Sequence, residues 1–154
     1  MDNTLMKNLL AQMLVFLLLV ISVISCYDGK SERELWESNG ISDYRMHQTV
    51  LCFCINEGPY FVFVKSDTIY SAVNSQNGEP VGPSNLNLFT VDELFDLVED
   101  ASMQKADVLK VEFDKFYHYP KRIEIDYSRQ AADDEITIII KDFGITSFEY
   151  QTNN

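Results

Sequence analysis

The chain has 154 residues, a formal net charge of -12 at pH 7, and 46% apolar and 12% aromatic residues. This length predicts a single domain, and the apolar content is too high for a disordered chain. The acidic charge repels nucleic-acid phosphates and anionic lipid headgroups. We therefore expect no nucleic-acid partner, and any membrane attachment must come from an anchor rather than a basic patch.

An apolar segment covers residues 9–24 and is followed shortly by a cysteine, Cys26. About 16 residues is short for a transmembrane helix, which needs about 20. The sequence VISC at residues 23–26 resembles the lipobox of bacterial lipoproteins, which ends in a small residue and a cysteine. The resemblance implies a signal peptide at residues 1–25, lipidation of Cys26 and a lipidated tether at residues 26–30. An uncleaved anchor and a buried structural segment are the alternatives.

The same resemblance implies a location in the cell envelope. In enterobacterial lipoproteins, an aspartate after the acylated cysteine retains the protein in the inner membrane. Tyr27 stands at that position here. We therefore expect a lipid-anchored protein on the outer membrane, facing the periplasm, if the host is Gram-negative.

The first half of the mature chain predicts one helix and three strands. Ser31 and Glu34 have the spacing of a capping box, and Asn39-Gly40 is a stop signal, which predicts a helix over residues 32–38. We expect Trp36 on this helix to pack onto the domain. Apolar residues that share one parity predict a strand over residues 43–55. Residues 60–65 and 68–74 look like two more strands with a tight connection, and residues 74–87 look like a long loop.

The second half repeats the order of one helix and three strands. Thr90 and Glu93 form a second capping box, ahead of a helix over residues 91–103 whose apolar face contains Leu94, Phe95, Val98 and Ala101. Alternation predicts three further strands, around residues 109–113, 123–127 and 135–143. The fold class is therefore α+β: an antiparallel sheet with two helices on one face, in one domain over residues 31–150.

Cys52 and Cys54 are candidates for chemistry because they flank a single residue, Phe53. On a regular strand their Cα atoms lie roughly 6.6 Å apart, at the strained limit for a disulfide. An oxidising compartment favours the bond once Cys26 is lipidated. Two reduced buried thiols and a redox or metal role stay open, and Cys-x-Cys alone is a weak motif.

Four consecutive residues crowd the end of the predicted hairpin, and we call them the aromatic patch: Phe116, Tyr117, His118 and Tyr119. Exposed aromatic residues can form a binding surface. In the alternative, Phe116 and Tyr119 fold back onto the core. The sequence shows neither a nucleophile nor an orienting carboxylate for His118, so we expect no catalytic residue here.

Clustered carboxylates at residues 133–135, with Asp126 nearby, could bind Ca²⁺, but they lack EF-hand spacing and indicate a solvated turn. The chain contains no phosphate-binding loop, nucleophile elbow or zinc signature. We therefore expect neither a metal site nor a cofactor.

The region from Trp36 to Glu135 resembles an uncharacterised family of bacterial secreted and lipid-anchored proteins, a domain of unknown function. The resemblance lies in Trp36, the Tyr44 strand, the CFC sequence, the helix TVDELFDLVEDA and the hairpin EFDKFYHYPKRIEIDY followed by DDE. Two positions depart from that family's pattern: Ile55 stands where proline is usual, and His118 where glycine is usual. The second departure questions how tightly the hairpin turns. The resemblance implies a fold and an envelope location, and no activity.

Three functions fit these observations. The first is a non-enzymatic, envelope-anchored interaction or structural lipoprotein with an envelope protein partner. The second is a module that binds a small ligand or metal. The third is a thiol-redox protein that uses Cys52 and Cys54. We expect the first function, because it depends on the fewest residues for which the sequence gives no evidence.

Overall fold

The structure is a computed structural model that describes residues 13, 29–53, 58–82, 87–131 and 133–146. Its contacts divide the chain into two compact units, Met1–Ser31 and Glu32–Asn154. Of the first unit, the described residues are 13 and 29–31, so the apolar segment and Cys26 lie outside the description. No described helix has the length and hydropathy needed to cross a membrane. The division into signal peptide, tether and domain stays a prediction.

The described part of the second unit is α+β, with two helices and seven strands. The helices are Glu32–Ser38 (α1) and Val91–Met103 (α2). The strands are Tyr44–Cys52 (β1), Tyr60–Lys65 (β2), Thr68–Asn74 (β3), Pro80–Val81 (β4), Val108–Phe113 (β5), Pro120–Asp126 (β6) and Glu135–Ile145 (β7). They form one antiparallel sheet in the order β4-β3-β2-β1-β7-β6-β5.

The predicted order of helix, three strands, helix, three strands is wrong at one place, because β4 lies in the segment predicted as a loop. Val81 pairs with Ala72, and Pro80 pairs with Val73, at one edge of the sheet. A two-residue strand cannot show alternation, and proline is tolerated there because an edge strand can dispense with its N–H group. The local sequence therefore carried no strand pattern.

One side of the sheet is buried. In β1, the buried side chains are Tyr44, Met46, Gln48 and Val50, and in β2 they are Tyr60, Val62 and Val64. Ile123 and Ile125 of β6 and Ile138 and Ile140 of β7 complete this face. Trp36 of α1 and Leu94 of α2 belong to the same core, so residues of both helices contribute to the core with this side of the sheet.

The start of α2 is held against β1 by three polar contacts that the sequence did not reveal. The amide of Gln48, fully buried, donates to the carbonyl of Phe89 and accepts from its N–H, both at 3.0 Å. The Val91 N–H donates to the hydroxyl of Tyr44 at 2.8 Å. Thr90 and Glu93 close the predicted capping box. The bonds made by the N–H groups of Thr90, Val91 and Glu93 satisfy donors that a helix start leaves without intrahelical partners.

Candidate functional site: the hairpin tip

The β5–β6 hairpin ends in a tight loop, and we call residues 114–119 the hairpin tip. The Asp114 N–H donates to the carbonyl of Tyr119 at 2.9 Å, and the His118 N–H donates to the carbonyl of Asp114 at 3.2 Å. The Asp114 carboxylate accepts from the N–H groups of Phe116 and Tyr117, at 2.9 and 2.8 Å. An aspartate that bonds the backbone two residues ahead stabilises a turn locally. These bonds stabilise the turn at the hairpin tip.

The hairpin tip is also fixed from outside, by both ends of α1. Nδ1 of His118 lies 2.9 Å from Oε2 of Glu32, the first residue of α1. Just beyond the helix, the side-chain amide of Asn39 donates to the carbonyl of Tyr117 at 3.0 Å. These contacts join segments that are 86 and 78 positions apart. They restrict the loop, so binding at the tip costs little conformational entropy.

An aromatic cluster lies beneath the tip. Tyr119 is buried and stacks on Phe143, with ring centroids 4.5 Å apart, and Trp36 packs edge-on against both rings. Tyr117 contacts Phe143 at 5.4 Å. Burial raises the pKa of Tyr119 to about 12, so this hydroxyl is neutral at physiological pH. The cluster gives the loop a rigid apolar base.

The structure separates the aromatic patch into buried and exposed members. Tyr119 folds back onto the core, as one of the two expectations had it. Phe116 does not, because 83% of its surface is exposed. Tyr117 is partly exposed, and His118 is half-buried against Glu32. The surface available to a partner is therefore the Phe116 side chain, with Tyr117 beside it.

His118 has an orienting carboxylate that the sequence did not reveal, since Glu32 is distant in the chain. A carboxylate–histidine pair can position a general base, but that role also requires a nucleophile or a substrate proton within reach. The described contacts of His118 and Glu32 place no such group beside the ring. The contact joins the hairpin tip to α1.

The region around Cys52 is the second predicted site. Cys52 ends β1, is half-buried and packs against the core, whereas Phe53 is 88% exposed. A pocket of about 240 Å³ lies here, lined by Leu51, Cys52, Phe53, Asp133, Glu135 and Thr137. Cys54 lies outside the described residues, so the disulfide stays a prediction.

A third region is an acidic pocket of about 260 Å³ beside Trp36, whose lining includes Asp67 and Asp92. Burial raises the pKa of Asp67, and the nearby carboxylates of Asp92 and Asp43 raise it further. The Asp43 carboxylate accepts a hydrogen bond from the Ser66 N–H, and the Asp92 carboxylate accepts one from the Trp36 indole N–H. Two of these three carboxylates therefore make hydrogen bonds that stabilise the fold. Across the described ranges, no group of three or more His, Cys, Asp or Glu residues could hold a metal ion.

Residues 28–145 match the model of a family of unknown function, DUF6174. The chain belongs to DUF6174. This result confirms the predicted domain of unknown function and extends it beyond the region from Trp36 to Glu135. No curated protein and no solved structure matches the chain. The lipobox, a bacterial origin and the CFC sequence as a family motif stay predictions.

The DUF6174 region includes the whole hairpin tip, together with α1, which holds it. His118 has a φ of 67°, in the left-handed region that favours glycine. The turn is therefore tight despite the histidine. Histidine is among the residues that adopt this region more readily than most.

Substitutions at His118 test whether its side chain contributes to the tip. We expect His118→Ala to lower the free energy of unfolding by roughly 1–2 kcal/mol, because it loses the bond to Glu32. His118→Gly loses the same bond but relieves the left-handed conformation, which costs other residues roughly 1–2 kcal/mol. Glycine should therefore be more stable than alanine here by about 1 kcal/mol. Urea denaturation measures both, and equal stabilities would contradict this account of the turn.

Proposed function

We propose that the protein is a lipid-anchored interaction module of the bacterial cell envelope that binds a protein partner through the hairpin tip and catalyses no reaction. Its membrane contact is a lipid on Cys26, on the outer membrane facing the periplasm if the host is Gram-negative. The net charge of -12 disfavours nucleic acid as a partner.

One observation carries the interaction role: Phe116 is a large apolar side chain that is 83% exposed on a loop stabilised by hydrogen bonds from its own backbone to Asp114. Single exposed apolar residues are common on proteins, and they carry little information alone. The support beneath this residue makes it unusual, because contacts from Asp114, Glu32 and Asn39 restrict the loop that presents it. A rigid aromatic side chain that enters a partner's pocket is the usual form of an interface hot spot.

The anchor rests on the VISC sequence at residues 23–26, and the net charge of -12 disfavours attachment to anionic lipids by charge alone. Each buried methylene contributes about 0.8 kcal/mol, so the two or three acyl chains of a lipoprotein hold a domain on a membrane stably.

Lipidation is tested by metabolic labelling with a fatty-acid analogue. We expect the wild type to incorporate the label and Cys26→Ser to incorporate none, because the thiol is the acylation site. Cys52→Ser is the matched control, since it removes a cysteine outside the lipobox, and it should label like the wild type. Label that persists in Cys26→Ser would contradict the anchor.

The interaction is tested by crosslinking in intact envelopes, followed by purification of the protein with its adducts. We expect Phe116→Ala to reduce recovery of a specific partner at least tenfold, because truncating a hot-spot residue costs roughly 2 kcal/mol or more. Phe53→Ala is the matched control, since it removes an equally exposed phenylalanine elsewhere. Equal recovery from Phe116→Ala and the wild type would rule out the tip as the binding surface.

A further inference from the structure

The hairpin tip is fixed to the residue at which the folded domain leaves the tether. Glu32 begins α1 and also bonds His118 at 2.9 Å. Asn39 holds Tyr117 just beyond the other end of the same helix. A seven-residue helix is only about 10 Å long, so both contacts belong to one short rigid element. The position of the start of α1 therefore determines the position of the hairpin tip.

The length of the chain limits how far the tip can lie from an anchor at Cys26. Six peptide units separate Cys26 from Glu32, and at full extension they span at most roughly 20 Å. The side chains of Glu32 and His118 and the two residues back to Phe116 add at most roughly 18 Å more. A lipid on Cys26 therefore keeps the Phe116 backbone within roughly 40 Å of the membrane surface, whatever path the tether takes.

Chemistry at the tip favours a protein over the lipid bilayer itself. Phe116 is the one large apolar side chain of the tip that is mostly exposed, since Tyr119 is buried and Tyr117 rests against Phe143. The flanking Lys115 is exposed, but the chain carries a net charge of -12, which repels anionic headgroups. One lysine can pair locally with a single carboxylate beside a pocket for Phe116, whereas an anionic membrane presents an extended negative surface to the whole acidic domain.

We propose that the partner is a second protein held in or on the same membrane, with an apolar pocket that takes Phe116 and a carboxylate that faces Lys115. This inference rests on the proposed function and adds where the partner lies and what it presents. Because both proteins are confined to one membrane, the short tether sets a high effective concentration of the tip at the partner.

The test places a photo-crosslinking phenylalanine analogue at position 116 of the full-length chain, expressed at low level in intact envelopes. A flexible spacer of 20 Gly and Ser residues is inserted after Lys30. This lengthens the six-residue connection to 26 residues. The tip and its partner are not linked to each other, so the spacer dilutes the tip only through the thicker layer that it can reach above the membrane, which grows roughly as the square root of length. We expect the yield of one membrane-protein adduct to fall roughly twofold. The same spacer between Asn77 and Gly78, in an exposed turn, should leave the yield unchanged.

A second variant tests the charge. Lys115→Glu should lower the yield of the same adduct, and Lys105→Glu, an equal charge change at another exposed lysine, should not.

The outcomes that would contradict this inference differ from those that would contradict the proposed function. An undiminished adduct from the chain with the spacer after Lys30 would overturn the membrane-held partner and leave the tip as a binding surface. An adduct with lipid alone would overturn a protein partner. No adduct of either kind, with Phe116→Ala matching the wild type in recovery, would overturn the proposed function itself.

Discussion

Replacing Phe95 with alanine is expected to lower the free energy of unfolding by roughly 3–5 kcal/mol, the range for a buried aromatic residue. Phe95 is 4% exposed on α2 and stacks with Phe113 of β5 at 6.1 Å between ring centroids. The guanidinium carbon of Arg33 lies over the Phe95 ring, 5.9 Å from its centroid. The substitution leaves a cavity between α2 and the sheet and removes the surface on which Arg33 rests.

Denaturant unfolding of Phe95→Ala beside Met103→Ala measures this effect. Met103 is on the same helix and 72% exposed, so its truncation should change stability by less than about 0.5 kcal/mol. If Phe95→Ala also cost less than about 1 kcal/mol, α2 would not pack through this face.

Replacing Gln48 with leucine is expected to cost roughly 2–5 kcal/mol, although leucine has a similar size and greater apolarity. The substitution removes both hydrogen bonds between the Gln48 side chain and the Phe89 backbone. The N–H and carbonyl groups of Phe89 then lie beside the core without their Gln48 partner. A buried polar group that loses its partner costs roughly 1–3 kcal/mol, and here there are two. An argument from hydrophobicity alone predicts that Gln48→Leu raises the free energy of unfolding.

Thermal or urea unfolding decides between these signs. Gln76→Leu is the matched control, because Gln76 is exposed in the turn after β3. It should change stability by less than about 0.5 kcal/mol. A Gln48→Leu protein as stable as the wild type would show that the link between β1 and the start of α2 contributes nothing.

Features encoded over a few neighbouring residues could be predicted from the sequence. The capping box of Thr90 and Glu93 located the start of α2, and the apolar pattern of the sequence located six of the seven strands in the described chain. Both patterns depend on the period of a helix or strand, which short stretches reveal. Strand β4 was missed because two residues have no period.

Contacts between distant segments could not be predicted in the same way. The burial of Gln48 depends on Phe89, and the fixed position of the hairpin tip depends on Glu32, 86 positions from His118. Nothing in the local sequence marks such partners. Exposure of Phe116 was equally undetermined, since the sequence allowed that residue to fold onto the core or to point outward.

Binding of the chain to envelopes that contain the partner tests the central claim most directly. A chain that begins at Tyr27 lacks the predicted signal peptide and lipid, so its binding reports the domain alone. The account predicts saturable binding that Phe116→Ala weakens at least tenfold, equivalent to about 1.4 kcal/mol or more, and that Phe53→Ala leaves unchanged within twofold. Binding that does not saturate, or that Phe116→Ala and the wild type share equally, would contradict it.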